Sequence, residues 1–128
     1  MPERSADRLA QAEPDLAAAE QLRVTGYFEW AAFVAQQGGE KALKAVFQVR
    51  HGNVRGYSLL ELAQLLQDPA LPQEVLDAAR RLDRYYIQTR YPDSFAAGIP
   101  QDYFTAEDAA SALTDAGTIT RWSQSQVS

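Results

Sequence analysis

Residues 27–50 constrain the fold more than any other stretch. Tyr27, Ala31, Val34, Gly38, Ala42, Ala45 and Val49 recur at three and four, the spacing of one helix face. The opposite side holds Glu29, Phe33, Gln37, Glu40, Lys41, Lys44 and Phe47. Apolar groups on both sides call for a central helix packed by more than one neighbour. Gly38 and Gly39 each cost about 1 kcal/mol against alanine in a helix interior. Small residues on a core stripe let a second backbone come close, which is the reading adopted for this pair. Glu40 and Lys44 stand four apart, in the favourable order for an intrahelical ion pair. Exposed, such a pair stabilises by only a few tenths of a kcal/mol.

The rest of the chain supplies the neighbours. Residues 5–24 predict a first helix, capped by Ser5, with Leu9, Ala12, Leu16 and Ala19 as its stripe and Gly26 at its end. Pro14 removes a backbone donor and predicts a kink or a fresh start near Glu13. Residues 51–56 form a turn with two glycines and an asparagine. Ser58 with Glu61 makes a capping box for a short third helix over 58–67, whose apolar face is Leu59, Leu62, Ala63 and Leu66. A connection through Pro69 and Pro72 leads to a fourth helix over 73–91. Val75, Ala79, Leu82, Tyr86 and Thr89 mark its buried side, and Pro92 ends it at or before Tyr91. Residues 92–104 form a long connection with Phe95, Ile99, Tyr103 and Phe104 in it, so it packs by its own side chains. Thr105 with Asp108 opens a fifth helix to about residue 122, with a small-residue face of Ala106, Ala109, Ala110, Leu113, Ala116 and Gly117. Ile119 and Trp122 point elsewhere, toward a partner subunit, and the Ser/Gln-rich tail after Trp122 frays. No segment alternates with period two and no repeat recurs. Residues 1–128 therefore read as one all-α domain, an up-and-down antiparallel helical bundle of about five helices, four-helix-bundle-like.

Composition narrows the function classes. Cysteine is absent and histidine occurs once, as His51, so a thiolate metal site is excluded and no metal-ligand spacing appears. There is no phosphate-binding loop, dinucleotide turn or nucleophile elbow, and no cofactor is expected. No run is long enough to span a membrane, and Met-Pro-Glu-Arg is not followed by the apolar region of a signal peptide, so a soluble cytoplasmic protein is expected. The net charge of −5 gives no general attraction to nucleic acid. Its distribution is uneven: residues 1–40 carry three Arg against seven acids, residues 41–90 eight Lys/Arg against five, and residues 91–128 one Arg against five. Lys41, Lys44, Arg50 and Arg55 form one basic cluster and Arg80, Arg81, Arg84 and Arg90 another. Side by side they would make an anion site; apart, they are solvated helix faces with paired acids.

Candidate residues follow. Arg90 stands in the last turn before Pro92, with Asp93 beyond it, and two readings stay open. The guanidinium is presented to a phosphate with Asp93 orienting it, or it caps the helix carbonyls and pins the loop. Lys41 and Lys44, with Glu40, would hold a phosphate beside Arg90 if their helices are neighbours. His51 is a lone imidazole in a glycine turn with no acid or base placed beside it. Trp30 and Trp122 are read as core or interface.

Three stretches in order resemble the HEPN domain family. They are Gln11-Ala12-Glu13-Pro14-Asp15-Leu16 with the alanines after it, Gln36-Gln37-Gly38-Gly39-Glu40-Lys41-Ala42-Leu43-Lys44-Ala45, and Leu82-Asp83-Arg84-Tyr85-Tyr86-Ile87 leading into Thr89-Arg90-Tyr91-Pro92-Asp93. Ser58-Leu59-Leu60-Glu61-Leu62 sits where the family's short third helix begins. The resemblance implies a bundle of about five helices, often a homodimer, and association with minimal nucleotidyltransferases, often in toxin–antitoxin pairs. It also implies nucleotide binding and, in many members, a metal-independent RNase built on an arginine followed four to six residues later by a histidine. This chain departs from that pattern. No histidine follows any arginine at that distance, and Tyr57 occupies the place before Ser-Leu-Leu where the family often has histidine. A tyrosine titrates near 10, too high to replace imidazole at neutral pH.

The leading expectation is a HEPN-type bundle, without strong catalysis, that dimerises and binds a nucleotidyltransferase partner, a nucleotide or RNA through Arg90 and the basic groups of helices two and four. One alternative is an RNase toxin with a composite site at the dimer interface, using Arg90, Asp93 and Tyr57. The other is a purely structural interaction protein.

Overall fold

A computed structural model describes residues 4–52, 56–89 and 91–127, and among these the secondary structure is helical with no strand. The helices are α1 (Ser5–Val24), α2 (Phe28–His51), α3 (Leu59–Leu65), α4 (Gln73–Asp83), the single turn α5 (Tyr85–Gln88) and α6 (Ala106–Gln126). The all-α bundle read from the periodicity is the fold found.

The central helix is α2, and its glycine pair sets the spacing of the bundle. A Cβ on Gly38 would lie 3.2 Å from Asp15 Cβ and 3.5 Å from the Ala12 carbonyl oxygen, both on α1. A Cβ on Gly39 would lie 3.2 Å from Leu82 Cδ1 of α4 and 3.7 Å from Ala116 Cα of α6. Adjacent helical residues point roughly 100° apart, so the two glycines admit different neighbours on different sides. The remaining contacts fix the directions. The three-residue connection between Val24 and Phe28 turns α1 antiparallel to α2, and Lys41 reaches across to Asp15 (2.7 Å). Arg50 reaches Gln126 (2.6 Å), further along both chains than Gly39 and Ala116, so α6 runs parallel to α2. Arg81 makes a two-pronged pair with Asp115 (2.9 and 2.8 Å), tying α4 antiparallel to α6. The core between them is built of Leu43, Leu59, Leu62, Leu82, Ile119, Val46 and Val75, with many alanines at the close approaches.

Several local readings need correction. Pro14 does not restart α1, which continues from Ser5 to Val24. Pro14 and Ala10, whose carbonyl lacks its bond, both lie on the exposed side, where water serves instead. Arg4, not Ser5, is the N-cap, and Ser5 is buried. The fourth helix is not continuous to Tyr91. The Arg84 N–H donates to the Arg81 carbonyl three residues back, the turn tightens, and α5 follows out of phase. Tyr86 is consequently 43% exposed rather than core, while Thr89 is buried and its hydroxyl donates to the Tyr85 carbonyl (2.6 Å). Ile119 is fully buried, not turned to a partner, and α6 runs on to Gln126. Arg50 explains that extension. It holds Asp68 (3.0 Å) and Gln126 and lies 5.9 Å from the Trp122 ring centroid, clamping the ends of α2 and α6 to the α3–α4 connection.

The connection after α5 packs down as its apolar content implies. Phe95 and Tyr103 stack at 4.0 Å and the Tyr103 hydroxyl donates to the Ala97 carbonyl. Gly98 has φ +82°, and a Cβ there would lie 2.7 Å from the Asp102 carboxylate that accepts from the Ile99 N–H.

Two outcomes test this packing. Gly39→Val forces a branched side chain against Leu82 and Ala116, and its urea midpoint corresponds to a loss of about 1–3 kcal/mol. Tyr85 is half-buried beside Phe104, and burial first, then the negative charges of Asp108 and Asp115, pushes its phenol above the ordinary value. Its contribution to stability is therefore complete below about pH 10 and is lost as pH rises through the raised folded value. Unfolding free energies measured at about pH 8 and about pH 11 fall less for Tyr85→Phe than for the wild type.

Candidate functional site

The third side of α2 faces neither α1 nor α6. It carries Phe33, Gln36, Glu40, Lys44 and Phe47 in one row at helical spacing. Its middle residues Gln36, Glu40 and Lys44 form the floor of an open cleft of about 510 Å³, walled by Gly56, Tyr57, Ser58 and Glu61 on one side and by Asp83 and Tyr86 on the other. The polar groups of the floor are linked: Gln37 donates to Gln36 (2.7 Å), Gln36 to Glu40 (3.0 Å), and Lys44 to the other Glu40 oxygen (2.6 Å). The apolar ends of the row back the two tyrosines. Phe33 lies 6.4 Å from the Tyr86 ring and Phe47 lies 6.1 Å from the Tyr57 ring. Both tyrosines stay about two-fifths exposed, at 43% and 41%.

Asp83 builds the wall. Its two oxygens accept from the Leu59 and Leu60 N–H groups (2.9 and 3.0 Å), so α4 itself caps the start of α3. Ser58 and Glu61 complete that end with the capping box, at 3.1 and 3.0 Å. Tyr57, one residue before the cap, is thereby held against Phe47.

The site residues expected from sequence are only partly brought together. Glu40, Lys44 and Tyr57 share the cleft. Lys41 does not line it; its ammonium sits on Asp15 of α1. Asp93 is exposed in the 3₁₀ turn Pro92–Ser94 and is not a lining residue. Arg90 lies outside the described residues, so its placement beside Lys44 is not tested by this structure. His51 is not a lining residue; it packs 4.9 Å from Phe47. Gln36, Glu61, Asp83 and Tyr86 were not singled out as a site. Asp83 had a readable signal, since a carboxylate at the last position of a helix opposes the helix dipole unless another group takes it up.

The described lining therefore holds three carboxylates (Glu40, Glu61, Asp83) against one ammonium, Lys44, already paired. It offers two aromatic faces, several acceptors and few donors, and none of its described members is an imidazole. Among the described residues no group of three or more His, Asp or Glu side chains is placed to hold a metal ion, and no helix is long and apolar enough to cross a membrane.

The HEPN domain model matches residues 5–126 of this chain. The chain belongs to the HEPN family. Among solved structures, this HEPN chain is similar to a protein of Thermus thermophilus, with 36% identity and TM-score 0.89 over 98% of this chain and 99% of that one. It is similar to an archaeal HEPN homologue at 36% identity and TM-score 0.82, covering 99% of this chain and 100% of the other. A HEPN domain protein of Thermotoga maritima aligns at 29% identity and TM-score 0.71 over 93% of this chain and 95% of its own. No curated protein matches the sequence.

The cleft wall yields its own test. Asp83→Ala removes the acceptor of two α3 N–H groups and costs about 1–2 kcal/mol. Hydrogen exchange accelerates over residues 57–66 while Leu43 and Ile119 keep their protection.

Proposed function

We propose that this HEPN protein is a nucleotide- or RNA-binding partner of a minimal nucleotidyltransferase, working as a homodimer and lacking the ribonuclease chemistry of the family's Arg/His members. One observation carries the binding part: Tyr57 and Tyr86 present half-exposed rings across one open cleft whose floor is the linked Gln36–Glu40–Lys44 row. A cleft of about 510 Å³ matches the size of small-ligand sites. Stacking on an aromatic ring stabilises a base by about 1–3 kcal/mol without regard to its identity. Arg90 is the guanidinium read from sequence, in the last turn before Pro92, as presented to a phosphate, and Lys44 is the cation of the described lining.

The absence of turnover rests on the residue types. Proton transfer at neutral pH needs a group titrating near 7. The described lining offers carboxylates, an ammonium and phenols, and the chain's single histidine is not in it. The nucleotidyltransferase partnership and the dimer rest on family membership.

Titration of the full-length protein with a mononucleotide and a short single-stranded RNA, each at two salt concentrations, tests this reading. Tyr57→Ala weakens binding by about tenfold or more, while Lys41→Ala, on the α1 side, leaves it unchanged. Total RNA incubated with high protein stays intact. Absence of saturable binding overturns the proposal, and cleavage of the RNA favours the toxin alternative instead.

A further inference from the structure

Resting on that reading of the cleft, we infer that it selects guanine over adenine, with the base on the floor and the phosphate at the mouth. The inference comes from counting which hydrogen-bonding capacity remains. Asp83 already accepts one backbone N–H on each oxygen, which fixes it as the cap of α3. Glu40 is held by Gln36 and Lys44. Glu61 accepts the Ser58 N–H on Oε1, which keeps a second lone pair, and no described residue donates to its Oε2, so both oxygens can still accept. An ionised carboxylate only accepts, so a ligand edge meeting Glu61 must donate. The Watson–Crick edge of guanine carries two adjacent donors, N1–H and the 2-amino group, which together match a carboxylate; adenine offers a single donor, its 6-amino group, beside an N1 lone pair that a carboxylate repels. Lys44 uses one donor on Glu40 and keeps others for a ring oxygen such as O6. The tyrosine faces accept either purine, so discrimination falls to these polar groups. The described lining bears more negative than positive charge, so the phosphate adds little on the floor.

Calorimetric titration of the full-length protein with GMP, AMP, inosine monophosphate and guanosine tests this, together with Glu61→Gln. Glutamine preserves the capping box, which an unchanged unfolding midpoint verifies, but its amide places a donor where the acceptor stood. GMP binds about tenfold more tightly than AMP, the scale of one good bidentate contact. Inosine monophosphate, lacking the 2-amino group, falls between them, and guanosine binds close to GMP. In Glu61→Gln the GMP:AMP ratio collapses toward one. AMP binding as well as GMP, or a ratio unchanged in Glu61→Gln, overturns the base selection alone. Binding of none of the four overturns the nucleotide reading and this inference with it.

Discussion

The close approach at Gly38 and Gly39 is the constraint from which the rest of the bundle follows. Two adjacent positions without side chains let α1 touch α2 on one side and α4 and α6 on another. The helix-propensity cost of the pair, about 1 kcal/mol each, is offset because alanines such as Ala12, Ala35 and Ala116 can then pack at backbone distance with no void. With two sides of α2 committed in this way, no long helix among the described residues lies along its third side. The end of α4 at Asp83, the seven-residue α3 and the single turn α5 reach it, and the cleft is what they leave uncovered.

The departures from local preference gather at that uncovered side. Asp83 ends α4 with the wrong charge for the helix dipole. It is retained because the same carboxylate caps α3. The tight turn at Arg84 breaks the phase of α4 and lifts Tyr86 out of the core into the cleft. Gln36 is buried to 2% exposure on a helix face and is satisfied only through Gln37 and Glu40. Such departures from the locally preferred choice are expected where a surface is shaped for a ligand rather than for stability.

Most of the bundle was legible because its signals are local. The capping boxes at Ser58 and Thr105 start α3 and α6 where the structure has them, and the glycine pair marked the close contacts. What escaped depends on partners distant in sequence. Lys41 and Lys44 look equivalent at three residues apart, yet Asp15, 26 residues away, draws Lys41 to the other side. The last turn of α6 is Ser/Gln-rich and reads as frayed, but Arg50 reaches across 76 residues to hold it. The phase break at Arg84 leaves no apolar signature, because Tyr85, Tyr86 and Thr89 are each compatible with a continuous stripe. Of the cleft's lining, Glu40 and Lys44 were singled out by their spacing and charge and Tyr57 by the family pattern. Their acidic neighbours Glu61 and Asp83 were hidden behind capping roles that they also perform.

These placements change the electrostatic picture of ligand capture. An anion pocket formed by Lys41 and Lys44 together would have let a phosphate bind first and the base follow. With Lys41 on Asp15 and Lys44 on Glu40, neither ammonium is an uncompensated charge. A phosphate approaching the described lining meets more carboxylate than ammonium, in a chain whose net charge is −5. Under the proposed function, affinity from this lining comes from stacking and from donor groups on the base rather than from counterion release. Under that proposal, a cleft so lined is suited to reading the identity of a base rather than to activating a phosphodiester, and Tyr57, where the family often has histidine, contributes a flat face to it.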